Sequence, residues 1–251
     1  MILRRLTQSL KEQNWTAIVI EFVLLVCGVF LGIEAQQWNN DRADRQLERV
    51  YLQRILSDIN ISIDTDVLNI TRLAGNSDRE FLVVDSLRQC SLAEARRDDF
   101  AHGLSDLGKV GNSVFVLSTV DEMLSAGKFS IIHNPKIRDT LNGLARDAKY
   151  QNNIFNAINT QNGAATTTTN TRVLRINADH RSPLDPVRWN ELDIDFDALC
   201  KDRQFQSAVS TLKYLTDAGI SLNNRALSSL RAAKAELEQE LGLAPKTGAE
   251  K

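Results

Sequence analysis

The sequence predicts an all-α protein in which an N-terminal transmembrane helix continues into an elongated extracytoplasmic helical bundle. Three observations carry that expectation. Residues Ala17 to Ile33 form an apolar run holding a single charge, Glu21. Three later stretches repeat apolar residues at intervals of three and four, the period of an α-helix buried along one face. Only four prolines and twelve glycines punctuate 251 residues, too few for the many turns of a β fold.

The apolar run lies between Trp15 and Trp38, whose amphipathic rings suit the two headgroup regions of a bilayer. At 1.5 Å per residue the tryptophans stand roughly 35 Å apart, enough to cross a hydrocarbon core of about 30 Å with some tilt. A soluble core helix would carry a polar residue every three or four positions, and only Glu21 does so here. A cleavable leader fits poorly, because a long polar stretch precedes the run and no small-x-small site follows it. The expected organisation is a short cytoplasmic amphipathic segment over 1–14, the transmembrane helix over 15–38, a helical bundle over 39–242 and a disordered tail over 243–251. Arg4, Arg5 and Lys11 precede the span with only Glu12 to offset them, so the positive-inside rule places the N-terminus in the cytoplasm and the bundle outside.

Within the span, Glu21, Leu25, Gly28 and Gly32 fall along one helix stripe. Small residues let two helix backbones approach closely, and an acid on the same stripe would face a partner and not lipid. These four residues are the candidate association surface, with Trp15 and Trp38 as interface anchors. Alternatively, Glu21 snorkels to the nearby headgroups or is protonated, and the glycines are ordinary span residues.

Beyond Trp38 the polar stretch has no helix breaker, and apolar positions recur at Leu52, Leu56, Ile59, Ile63, Val67 and Ile70. Gly75 and Asn76 are expected to end that helix. Ser77 with Glu80, and Ser91 with Glu94, read as capping boxes opening helices over about 77–89 and 91–107. After a glycine hinge at 108–111, a short helix closes at Gly127, and Phe129 to Ile132 form an irregular apolar plug. Asn134-Pro135 then supplies a side-chain acceptor and a preset first turn for a helix carrying Ile137, Leu141, Leu144, Ala148, Phe155 and Ile158. Threonine is a poor helix former, so this helix is expected to fray near Thr166 to Thr169. Residues 177–197 form a connection with two prolines and an acidic string. The last stripe, Leu212, Leu215, Gly219, Leu222, Ala226, Leu230, Ala233, Leu237 and Leu241, keeps phase through its glycine and predicts one long helix or two collinear ones.

The chemistry-bearing residues make no familiar constellation. Ser125-Ala-Gly-Lys128, Ser221-Leu-Asn223 and Lys246-Thr-Gly248 match the three elements of penicillin-binding proteins in order. Ser125 closes a helix where that motif needs one to open, and Lys246 lies in a tail where it needs a core strand. The string Asp193, Asp195, Asp197 lacks the glycine and glutamate of a calcium loop, and Asp195 or Asp197 is better placed to cap the next helix. His102, His133 and His180 are scattered, with no zinc spacing. Cys27 lies in the span; Cys90 and Cys200 are either a disulfide, if their compartment is oxidising, or two buried free thiols. The net charge of −2 and aromatic content of 6 % leave neither a basic field nor a stacking groove for nucleic acid. No metal, cofactor or catalytic residue is expected.

The opening QNWTAIVIEFVLLVCGVFLGIEAQQWNNDRADR through YLQRILSDI, together with TVDEMLSAGKFSIIHNPKIRDTL, resembles an uncharacterised family of bacterial single-span inner-membrane proteins with a helical extracytoplasmic domain. The likeness covers about a third of the chain and implies a Gram-negative inner membrane, but supplies no activity or site residue. Two roles follow as expectations. One is a non-catalytic, self-associating scaffold or accessory subunit whose partners are the lipid bilayer, further copies of itself and an unidentified membrane or periplasmic protein. The other is a periplasmic ligand-sensing module acting through a membrane partner, which would need a concave pocket near Val114 to Ile132.

Overall fold

A computed structural model of the chain describes residues 15–175 and 187–243, with side chains from 19 to 173 and from 187 onward. The expected amphipathic segment, His180, most of the proline-bearing connection and the tail with Lys246 lie outside the described residues. The chain divides into two compact units, Met1–Tyr51 and Leu52–Lys251. Helix α1 (Trp15–Gln89) contributes to both. It is followed by α2 (Arg97–Asp106), α3 (Ser118–Ser125), α4 (Pro135–Asn170), α5 (Phe196–Leu199) and α6 (Arg203–Glu240). The protein is all-α, the described exception being a two-residue antiparallel pair, Leu174–Arg175 with Leu192–Asp193.

In the second unit the later part of α1, together with α4 and α6, forms a three-helix bundle. Cross-links set the directions. Asn60 with Lys234, Ser77 with Asp217 and Glu80 with Thr216 run α1 antiparallel to α6. Asn134 with Glu240, Thr140 with Glu236 and Arg172 with Gln204 do the same for α4. The apolar stripe of α6 is buried from Phe205 to Leu237, Gly219 included, and meets Ile137, Leu141 and Leu144 of α4. Asn134 caps α4 as expected, its side chain accepting from the Lys136 N–H at 3.0 Å, with proline in the first turn. Gly127, at φ 67°, stops α3 in the left-handed region that favours glycine.

Three expectations fail for physical reasons. Gly75 and Asn76 do not end α1, and Ser77 and Glu80 do not cap a new helix. Leu73, Asn76, Glu80 and Val83 are all buried along one face, and that packing outweighs the roughly 1 kcal/mol by which glycine disfavours a helix. The box at Ser91 and Glu94 opens only a 3-10 turn, Glu94–Arg96, before α2. The threonine tract stays helical to Asn170, with Thr167 and Thr168 hydroxyls donating to the carbonyls of Gly163 and Ala164. The actual end of α1 is Cys90, which takes φ 46° while Ser91 N–H donates back to the Ser86 carbonyl.

Packing of α2 on α1 depends on one glycine. A Cβ on Gly103 would stand 2.6 Å from the Arg79 carbonyl oxygen and 2.7 Å from a Val83 methyl, so no larger residue permits that approach.

Candidate functional site

In the first unit, Glu21, Leu25, Gly28 and Gly32 are all exposed, and a Cβ at either glycine would meet nothing within 4 Å. The structure thus leaves the stripe open without bringing anything against it. From Val19 to Ile33 every residue is exposed except the half-exposed Val26. One helix is therefore long and apolar enough to cross a membrane, and its most apolar window has no buried residue. Trp38, at the end of that stretch, is 68 % exposed. Trp15 begins the helix, its side chain outside the described set, and Cys27 is an exposed free thiol.

In the second unit the unexpected feature is a polar seam on the inner face of α1. Beyond Ile59 the buried positions are not Ile63, Val67 and Ile70 but Ser62, Asp66, Leu73, Asn76 and Glu80, while Val67 is exposed. The first of these polar residues receive the extended segment 108–117, which has no regular structure of its own. Where such a segment lies against the helices it must find partners for its N–H groups. Asp58 accepts from Thr119 N–H and the Ser118 hydroxyl, at 3.0 and 2.9 Å. The Ser62 hydroxyl accepts from Val116 N–H at 2.8 Å, and Asp66 from Val114 N–H at 2.9 Å. Asn223 of α6 completes the set, donating to the Gly111 carbonyl at 2.9 Å and accepting from the Ser113 hydroxyl at 2.6 Å. Positions 58, 62 and 66 are single turns apart on α1 and accept in turn from the N–H groups of Thr119, Val116 and Val114.

Two carboxylates on the seam are incompletely satisfied, since Asp66 Oδ2 and Glu80 Oε2 have no hydrogen-bond partner. Glu80 is fully buried and accepts only from the Thr216 hydroxyl, at 3.0 Å. Burial pushes its carboxyl up to about 8, with Thr216 and Lys213 opposing and Asp106 and Asp217 assisting. Burial likewise raises Asp66, against the pull of the Val114 N–H. Nearby, the almost wholly buried Asp106 is compensated by Arg79 Nε at 2.5 Å and Lys109 Nζ at 3.0 Å. His102 stands 3.7 Å from Asp106, and burial lowers its pKa despite that neighbour.

At the far end of α1 the structure joins Cys90 to Cys200 in a disulfide, with Cα atoms 5.3 Å apart across 110 residues of sequence. Asp197 lies beside the sulfurs, but with both sulfurs bonded to each other no thiolate is left to ligate a metal. Asp195 caps α5 and Asp202 caps α6, while Asp193 sits in the short strand. Phe100 packs edge-on against Phe196 at 5.5 Å and at a tilt against Trp189 at 6.0 Å, holding residues 189–200 onto α2.

Of the three matches to penicillin-binding proteins, the one at Lys246 lies outside the described residues. Ser125 ends α3 and its hydroxyl donates to the Glu122 carbonyl, whereas Ser221 is exposed in the middle of α6. The region Val114 to Ile132, where a sensor would need a pocket, buries Leu117, Val120, Met123 and Ile132. Three clefts lined by described residues take no side chain from it. No family model, curated protein or solved structure matches this chain.

Proposed function

We propose that this chain is a non-catalytic, single-pass membrane scaffold or accessory subunit of the bacterial inner membrane. Its N-terminus is cytoplasmic and its bundle periplasmic, and it self-associates through Glu21, Leu25, Gly28 and Gly32. The observation that carries this reading is the uncovered apolar helix: some fifteen consecutive residues from Val19 to Ile33 have no protein against them. Apolar surface of that extent is stable only in lipid or against another helix. The likeness of the opening stretch and of Thr119 to Leu141 to single-span inner-membrane proteins points the same way. The disulfide agrees with an oxidising compartment for the bundle. The segment 108–117 spends its polar groups on α1 and α6, a use that favours a filled bundle over a ligand-sensing one.

The test is the protein mass of the full chain in detergent, by light scattering corrected for the micelle. A multiple of 28.1 kDa is expected for the natural sequence, and a monomer after Glu21→Leu with Gly28→Leu. An unchanged mass in the double variant would refute association through this stripe.

A further inference from the structure

The first unit also carries an arginine stripe just beyond the span. Trp38, Arg42, Arg45 and Arg49 fall within about 60° of one another at 3.6 residues per turn, while Asp41, Asp44 and Glu48 occupy a neighbouring arc. Together Trp38, Asp41, Arg42, Arg45, Gln46 and Arg49 line an open cleft of about 500 Å³. Arg54, Arg79, Arg88 and Arg172 each reach a carboxylate within 3 Å. Among the described residues no carboxylate pairs with Arg42, Arg45 or Arg49, although Asp41 precedes Arg45 by one helical turn.

Resting on the reading of residues 17–33 as a span, we infer that Arg42 and Arg45 form a clamp for the phosphate of an anionic phospholipid headgroup, with Trp38 marking its depth. Side chains on an α-helix lean toward its N-terminus, which here is the direction of the bilayer. A hydrocarbon core of about 30 Å centred between the tryptophans, which stand roughly 35 Å apart, ends about 2 to 3 Å short of Trp38. Arg42 and Arg45 are then about 8 and 13 Å beyond the core along the axis, and leaning back by about 6 Å brings their guanidinium groups to roughly 2 and 7 Å from it. The headgroup layer is about 5 to 8 Å thick on each side, so Arg42 lies inside it and Arg45 at its outer edge. Arg49, at roughly 13 Å on the same measure, is out of reach. A guanidinium fork matches phosphate oxygens in pairs, and the two groups one turn apart can hold one headgroup between them.

The experiment uses the full chain in nanodiscs of equal phosphatidylglycerol and phosphatidylcholine, with retained lipids counted by native mass spectrometry. The natural sequence is expected to retain phosphatidylglycerol preferentially. Arg42→Gln with Arg45→Gln should cut that preference at least fivefold, the effect of about one surface guanidinium or more. Arg49→Gln should leave it unchanged. The clamp is overturned if the double variant keeps the natural ratio, or if Arg49→Gln loses as much as the double variant does. Elution of the chain apart from the nanodiscs, with no lipid of either kind retained, would instead mean that the span itself has been misread.

Discussion

Replacing Glu80 by glutamine should remove a pH dependence that the fold otherwise imposes. Glu80 is fully buried, with one hydrogen bond from Thr216 and an unpartnered Oε2, and burial raises its carboxyl from 4.5 to about 8. A carboxyl whose pKa is raised on folding binds a proton in the native state that the unfolded chain gives up. Its contribution is therefore full below about pH 4.5 and is lost as pH rises toward 8. Each unit corresponds to about 1.4 kcal/mol, so between pH 5.5 and 8.5 native stability should fall by roughly 3 kcal/mol on this account alone. Asp66, also raised by burial, acts in the same direction. His102, lowered by burial, acts the other way, because its unfolded form takes up the proton at the acid end. Both persist in the variant, so the difference between the two proteins isolates Glu80. The assay is urea unfolding of the full chain in detergent, followed by far-ultraviolet circular dichroism at several pH values. The glutamine amide buries two N–H donors at the Oε2 position, where no partner stands and the neutral acid has a single O–H, so the variant should be less stable than the natural protein at pH 5.5 by about 1 to 2 kcal/mol. By pH 8.5 it should equal or surpass it. Parallel pH profiles for the two proteins would refute the assignment of Glu80 as a buried neutral acid.

Further substitutions probe the rest of the bundle. Gly103→Ala sets a methyl within 3 Å of α1 and should destabilise the second unit by about 1 to 3 kcal/mol in the same assay. Reduction of the Cys90–Cys200 bond opens a connection of 110 residues and should cost about 2 to 4 kcal/mol, read as a lower urea midpoint with dithiothreitol than without. Asn134→Ala removes both the cap on Lys136 N–H and the bond to Glu240, with an expected loss of about 1 kcal/mol.

What the sequence made legible was whatever depended on local periodicity and local chemistry. The long apolar N-terminal helix, the cap at Asn134-Pro135, the stop at Gly127 and the helix unbroken through Gly219 all needed only neighbours within a turn or two. The polar seam of α1 was not legible in this way. Ile63, Val67 and Ile70 extend an apolar stripe in sequence, yet the structure buries Ser62 and Asp66, because a distant segment, 108–117, needs acceptors for its N–H groups. The polar spacing at Asp58, Ser62 and Asp66 was a readable signal, but its meaning depended on pairing with residues about fifty positions away. Ser77 and Glu80 misled for the same reason. Their partners, Asp217 and Thr216, lie on α6 and not in the local backbone. The stripe proposed for association was legible as a pattern of small residues, whereas the arginines beyond the span alternate in sequence with Asp41 and Asp44, and only the helical period separates the two charges into neighbouring arcs.

The claim on which the account turns is that residues 17–33 stay in lipid. Alkaline carbonate washing of membranes from cells making the untagged chain, followed by N-terminal sequencing of the recovered protein, tests it directly. The account predicts a chain that stays in the membrane pellet with residues 17–33 intact. Recovery in the aqueous supernatant, or a mature chain beginning after Ala35, would contradict it.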